Sequence, residues 1–180
     1  MGSAGSRVAL SRGIFITFEG IEGCGKATCV RYVAAHLRAQ GRSVLVTREP
    51  GGTREGRMIR KLLLESSDAI DPRTELILYC VDRRLHAARV IRPALRRGGI
   101  VLSDRYYDST MAYQGAGRML PPPFIRRWVL DTGNLPRPCV TLLLDCPVET
   151  GFHRLRTRGR SPDRMERETR SFHRRVRKAY

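Results

Sequence analysis

No stretch of this chain approaches the ~20 consecutive apolar residues that a membrane span requires. No secretory apolar region opens it either, so a cytoplasmic location is the expectation. The five cysteines (Cys24, Cys29, Cys80, Cys139 and Cys146) contain no CxxC pair and no zinc-type spacing. That argues against a disulfide framework or a structural zinc site, and reduced thiols fit best. Lysine is nearly missing: Lys26, Lys61 and Lys178 are the only three in 180 residues. Acids are scarce too, with 17 Asp and Glu against 34 Lys and Arg, a net charge of +17. The positive charge is therefore almost all arginine. Such a surface draws polyanions, nucleotides and nucleic acid among them. An arginine-rich coding bias spread over solvated faces accounts for it equally well. Neither an internal repeat nor a linker is visible, and 180 residues suit one domain with a sizeable core.

What is present begins at residue 18, where Phe-Glu-Gly-Ile-Glu-Gly-Cys-Gly-Lys-Ala-Thr follows an apolar run (Ile14, Phe15, Ile16) and precedes an amphipathic segment. A glycine-rich loop ending in lysine between a strand and a helix is the setting of a phosphate-binding P-loop. Gly20 and Gly25 let backbone N–H groups turn inward as a nest for phosphate oxygens, and Lys26 adds a mobile charge. The residue after that lysine should carry a hydroxyl for Mg²⁺, and here it is Ala27. Residues 1–12, short and free of acids, read as a flexible leader, and the Met1-Gly2 start also matches a myristoylation pattern formally.

Apolar runs at 14–18, 43–47, 100–103 and 140–145 are short and continuous, as buried parallel strands are. Helical patterns separate them. Val30, Val33, Ala34 and Leu37 share a face and Gly41 stops that helix. Others are expected over 55–66, from the Asp71-Pro72 start past Leu85 towards Pro93, and around 124–132 after a Pro121-Pro122-Pro123 loop. This alternation predicts a doubly wound α/β fold, with ligands beyond the carboxyl ends of the strands.

Each strand end carries a chemically suggestive string. Asp104-Arg105 suits a carboxylate near a metal beside an arginine that grips phosphate; a structural salt bridge is the alternative. Arg48-Glu49-Pro50-Gly51-Gly52 brings an arginine and a close-approach backbone, or is merely a turn. Tyr79 and Arg83 share a helix face, as a base-reading pair or as a core tyrosine beside a solvated arginine. Ser109, Tyr113 and Gln114 lie in a polar stretch, read as a loop able to contact a base edge.

Together these strings resemble the thymidylate kinase family of P-loop nucleoside monophosphate kinases. The matches are Phe-Glu-Gly-Ile-Glu-Gly-Cys-Gly-Lys, Thr-Arg-Glu-Pro-Gly-Gly-Thr, Asp-Arg-Tyr, Ala-Tyr-Gln-Gly-Ala-Gly-Arg and Asp-Arg-Met-Glu, in family order across residues 13–180. The resemblance implies a P-loop NTPase-type parallel sheet with helices on both faces, and transfer of phosphate from ATP to dTMP with Mg²⁺. It implies ATP contacts at Gly20, Gly23, Cys24, Gly25, Lys26, Ala27 and Thr28, with Asp104 near the metal. Glu22 takes the acidic position near the sugar. Tyr79 takes the stacking position on the base, and Arg83, Tyr113 and Gln114 contact base or sugar edges. Arg48 and Arg105 resemble the dTMP-phosphate ligands. The stretch about 152–168 resembles a basic lid, in which Arg154, Arg156, Arg158 and Arg164 close over the phosphates, Arg156 and Arg158 catalytically. Arg170, Arg174, Arg175 and Arg177 read as a solvated basic helix. A homodimer is implied, and no nucleic-acid-binding motif is visible. Two departures set this chain apart from the pattern: Ala27, and a sequence whose given end at Tyr180 precedes the family's last strand and helix. A nucleotide-binding relative with little turnover is the alternative reading.

Overall fold

The computed structural model describes residues 13–66, 68–130, 135–159 and 161–180. The expected leader, residues 1–12, lies outside them, as do residues 131 and 132 of the helix expected around 124–132. Four strands, β1 (Ile14–Glu19), β2 (Val44–Arg48), β3 (Ile100–Asp104) and β4 (Val140–Leu143), form one sheet in the order β2-β3-β1-β4. All pairings are parallel, and the register sets Phe18 of β1 and Arg48 of β2 opposite Asp104 of β3.

The pleat sorts side chains to two faces. On one face Phe18, Ile100 and Leu102 pack against Val30 and Ala34 of α1 (Lys26–Ala39). On the other, Phe15 and Val101 meet Tyr106, Ile91 and Ala94. Helices therefore cover both faces, as the alternating sequence pattern requires. The expectation of buried strands holds for β3 and most of β1 but not for the two outer strands: β2 has no fully buried residue, and the four residues of β4 are all exposed. Continuous apolar character alone does not distinguish an outer strand from a central one.

Helix ends follow the local chemistry. Gly41, at φ +75°, closes α1 while the Arg42 N–H reaches back to the Leu37 carbonyl, a Schellman-type stop. Thr53 caps α2 (Arg54–Glu65) by accepting from Gly56 N, and Asp71 caps α3 (Pro72–His86) by accepting from Arg73 N and Thr74 N. Pro93 does not end the third helix. The chain passes through a wide π turn, Ala87–Ile91, into α4 (Arg92–Arg96), with Pro93 in the first turn of α4 where no N–H is needed. The expected polar loop around Ser109 and Gln114 is helical: α5 (Tyr107–Thr110) runs into a π segment, Met111–Gly117. Likewise α6 (Pro122–Leu130) begins inside the proline triplet, since proline suits a helix's first turn. α7 (Val148–Arg156) and α8 (Arg170–Ala179) complete the described elements.

Candidate active site

A cavity of about 400 Å³ opens at the carboxyl ends of the strands, floored by the loop between β1 and α1. Gly25 precedes α1 in the left-handed region, φ +101°, a conformation that suits glycine. Gly23 leaves no room for a side chain, because a Cβ there would stand 2.3 Å from the Gly151 carbonyl oxygen of α7. The loop is thus pressed directly against the helix that leads into the basic stretch. The Lys26 ammonium, itself buried, donates to the carbonyls of Gly20 (2.9 Å) and Ile21 (2.8 Å). Burial and the nearby Arg105 charge lower its pKa. Ala27 and Thr28 lie exposed on the cavity wall, while buried Cys24 stands 3.5 Å from the lysine nitrogen and does not line the cavity. Ala27 offers no oxygen there.

Beside the loop, Arg105 occupies a left-handed backbone position, φ +74°, and its guanidinium is densely bonded. Nη1 donates to Gly20 O, Ser109 Oγ and Tyr180 Oη; Nη2 donates to Glu22 Oε1 (2.9 Å) and Tyr113 Oη (3.0 Å). Tyr113 in turn donates to Glu22 Oε2 at 2.6 Å. Burial opposes charge on Glu22, yet Arg105, His173 and Lys26 hold its carboxyl well below the usual carboxylate range. Glu19 shows the opposite result. Burial outweighs its hydrogen bonds from Ser109, Tyr106 N and Tyr180 and pushes it up to about 7. Asp104 lines the cavity with one buried oxygen, Oδ1, that has no hydrogen-bond partner. Among the described residues no group of three His, Cys, Asp or Glu could hold a metal unaided.

The α3 side carries the Tyr79–Arg83 pair. Both residues line the cavity: Tyr79 is half-buried on its wall, and Arg83, only 2% exposed, is not the solvated arginine of the second alternative. Arg83 Nε donates to Glu49 Oε2 (2.8 Å), and Nη2 donates to Tyr106 O and Thr110 Oγ1. Nη1 is buried without a partner. Arg48 reaches the same cavity from β2, and Arg60 of α2 joins it, donating to the Pro50 carbonyl. Gln114 lines the wall, but its amide nitrogen donates to Glu75 at 2.7 Å.

The four arginines expected to form a lid separate into two kinds. Arg154, which donates to Gly23 O, and Arg158, paired with Glu166 at 2.8 Å, line the cavity. Arg156, expected to act catalytically, is exposed and off the cavity wall, because two residues' advance along α7 from Arg154 turns it roughly 200° round the axis. Arg164, expected to contact ATP, also lies off that wall, bonded to Leu63 O and to buried Glu75, both at 2.6 Å. On the helix expected to be solvated, Arg170 and Arg174 are exposed, and three of its arginines have partners. Arg174 pairs with Glu149, Arg177 with Asp145, and Arg175 donates to Ala116 O and Gly117 O.

Sequence reasoning passed over Glu19, Glu49, Arg60, Glu75, His86 and Tyr180. Glu49 was visible as part of its string, and Arg60 recurs on the face of α2 that turns to the cavity. The partners of Glu75 stand 39 to 89 residues away, so no local signal marks it.

The thymidylate kinase family model matches residues 18–180. The chain belongs to the thymidylate kinase family. A thymidylate kinase of Halothermothrix orenii is 47% identical over 176 residues, 94% of this chain and 83% of the relative. One of Thermomicrobium roseum is 52% identical over 167 residues, 92% and 79% respectively. A crystal structure of thymidylate kinase from Ehrlichia chaffeensis superposes with a TM-score of 0.71 at 35% identity, covering 81% of this chain and 83% of that one. Members of the thymidylate kinase family are nucleoside monophosphate kinases, and the P-loop sheet described above is the corresponding fold. No helix among the described residues is long and apolar enough to cross a membrane.

Proposed function

We propose that this chain transfers the γ-phosphate of ATP to dTMP, giving dTDP and ADP. The observation that carries the reading is the free Nη1 of Arg83 beside Tyr79, on the wall of the cavity floored by the P-loop. An aromatic ring supplies a stacking face for a base. A guanidinium, which has donors only, selects a base edge that presents a carbonyl over one that presents an amine.

The acceptor phosphate then lies towards Arg48, Arg60 and Arg105, three arginines on one cavity wall. One of its oxygens attacks the γ-phosphorus while the bond to the oxygen bridging β and γ breaks, so ADP leaves with that electron pair. Lys26 exchanges its two carbonyl partners for phosphate oxygens. Arg154 and Arg158 supply charge to the transferring group from the opposite side, the role an arginine finger plays in cis. Glu22, held charged by Arg105, sits between the loop and Tyr113, where the sugar of the acceptor would lie.

Asp104 fits Mg²⁺, because this ion is commonly held by one or two carboxylates and completes its shell with phosphate oxygens and water. When bound it neutralises charge on the β and γ oxygens. Ala27 supports a second reading, a nucleotide-binding relative with little turnover, since it removes one protein donor from that shell. A coupled ADP-release assay with each monophosphate in turn decides between them. Preferential turnover of dTMP with purine monophosphates inert supports the kinase; tight ATP binding without turnover of any acceptor supports the second reading. The homodimer and the cytoplasmic location are part of the same proposal, the first checked by sedimentation.

A further inference from the structure

From Glu49, which lines the cavity beside Arg83, a chain of polar groups runs inward to His86 and Thr47, which do not line it. His86 is fully buried. Its Nδ1 stands 2.9 Å from Glu49 Oε1, and its Nε2 stands 2.7 Å from Thr47 Oγ1. A carboxylate can only accept, so Nδ1 carries a proton; the Thr47 hydroxyl, which can donate or accept, pairs with Nε2. The ring is also clamped on its side, since a Cβ on Gly52 would stand 2.2 Å from His86 Cδ2. With Oε1 taken by His86, Glu49 has Oε2 left for Arg83 Nε. Arg83 Nη2 is held by Tyr106 O and Thr110 Oγ1, which leaves Nη1 as the end without a partner.

We propose that His86 is a positioning residue for acceptor-base selection: through Glu49 it fixes the Arg83 guanidinium so that Nη1 meets the base in one orientation. The inference rests on the dTMP reading above. An arginine that cannot swing rejects an amino group where a carbonyl is wanted, because the mismatch leaves two buried donors facing each other. Once Glu49 is free to turn, Arg83 follows it and tolerates either edge.

The test measures kcat and KM for dTMP, dUMP and dCMP, and KM for ATP, in wild-type protein and in His86→Phe, which keeps a ring but neither hydrogen bond. The expected result is a fall of at least about tenfold in the preference for dTMP over dCMP. The dTMP-to-dUMP ratio and the KM for ATP stay unchanged, because neither depends on the Arg83 edge. His86→Asn, whose amide N–H can take the place of Nδ1–H towards Glu49, recovers part of the preference. If His86→Phe does not fold, Thr47→Val, which removes the hydroxyl from Nε2, shows a smaller loss in the same sense. A folded His86→Phe with the wild-type preference overturns the inference alone. So does an equal loss for all three acceptors together with a raised KM for ATP. Wild-type protein that accepts dCMP as readily as dTMP overturns the base reading and this inference with it.

Discussion

Glu19, at the end of β1, and Glu22, in the loop that follows, stand three residues apart and are driven in opposite directions. Glu22 faces Arg105 and stays charged; Glu19, packed among hydroxyls under Arg105, rises from 4.5 to about 7. A folded carboxyl that keeps its proton where the unfolded one has lost it makes stability fall as pH rises, here between about pH 4.5 and 7. Glu19→Gln is therefore expected to flatten the decline of melting temperature across that window; an unchanged slope would place the effect elsewhere. Ala27 invites the converse test. Ala27→Ser restores a hydroxyl on the cavity wall, and the expected outcome is faster turnover with half-maximal rate at lower Mg²⁺. If neither changes, Asp104 and the phosphates hold the ion without help. At this scale the sequence was readable where chemistry is local: Lys26, Asp104 and Ala27 stand in strings whose spacing carries meaning. Arg105 was readable as an arginine at a strand end facing the loop, but its five hydrogen bonds were not, because Tyr113, Glu22 and Tyr180 reach it from separate elements.

Among the elements, α7 matters most to the chemistry. Its Gly151 lies against the Glu22 carbonyl and its neighbour Gly23, so the P-loop and the basic stretch touch through backbone. Direction along α7 then decides which arginines serve. Arg158→Ala is expected to lower kcat by roughly tenfold or more while the KM for ATP changes little, as loss of an interaction made in the transition state does. Arg156→Ala, off the cavity wall, should leave both unchanged; equal losses in the two variants would mean a diffuse field of charge in place of a defined contact. Counting arginines in the sequence cannot separate these positions, because which way each points depends on how α7 docks on the loop. The four strands and α1, α2, α3 and α6 were legible from apolar periodicity and end signals to within a residue or two, whereas α5 read as a loop and α7 gave no helical signal. The π segments were not legible either: a π turn replaces i→i−4 bonding by i→i−5 without changing composition, and it appears here beside Pro93 and around Tyr113.

Across the whole molecule, buried Glu75 of α3 ties three regions together. Its oxygens accept from Gln114 and Arg118 of the segment around the second π turn, and from Arg164 of the stretch after α7. Glu75→Ala would leave Arg118 and Arg164 without their shared counter-charge, and a loss of about 3–5 kcal/mol is expected in urea unfolding. A drop below about 1 kcal/mol would show that the two arginines find other partners at little cost. Arg118 and Arg164 share buried Glu75, whereas Arg174 and Arg177 pair with exposed Glu149 and Asp145; the net charge of +17 is the excess left after every acid is counted. One last property follows from the parallel register. Arg48, Asp104 and Phe18 lie on one line across β2, β3 and β1, with neighbours about 4.8 Å apart. Under the proposed reaction that line is a ruler laid between the two substrates: the arginine proposed to meet the acceptor and the strand end that launches the P-loop stand two fixed divisions apart. Insertions can accumulate between α2 and α3 without altering this measure. A single residue added within β3 would slide the scale and turn Asp104 to the opposite face.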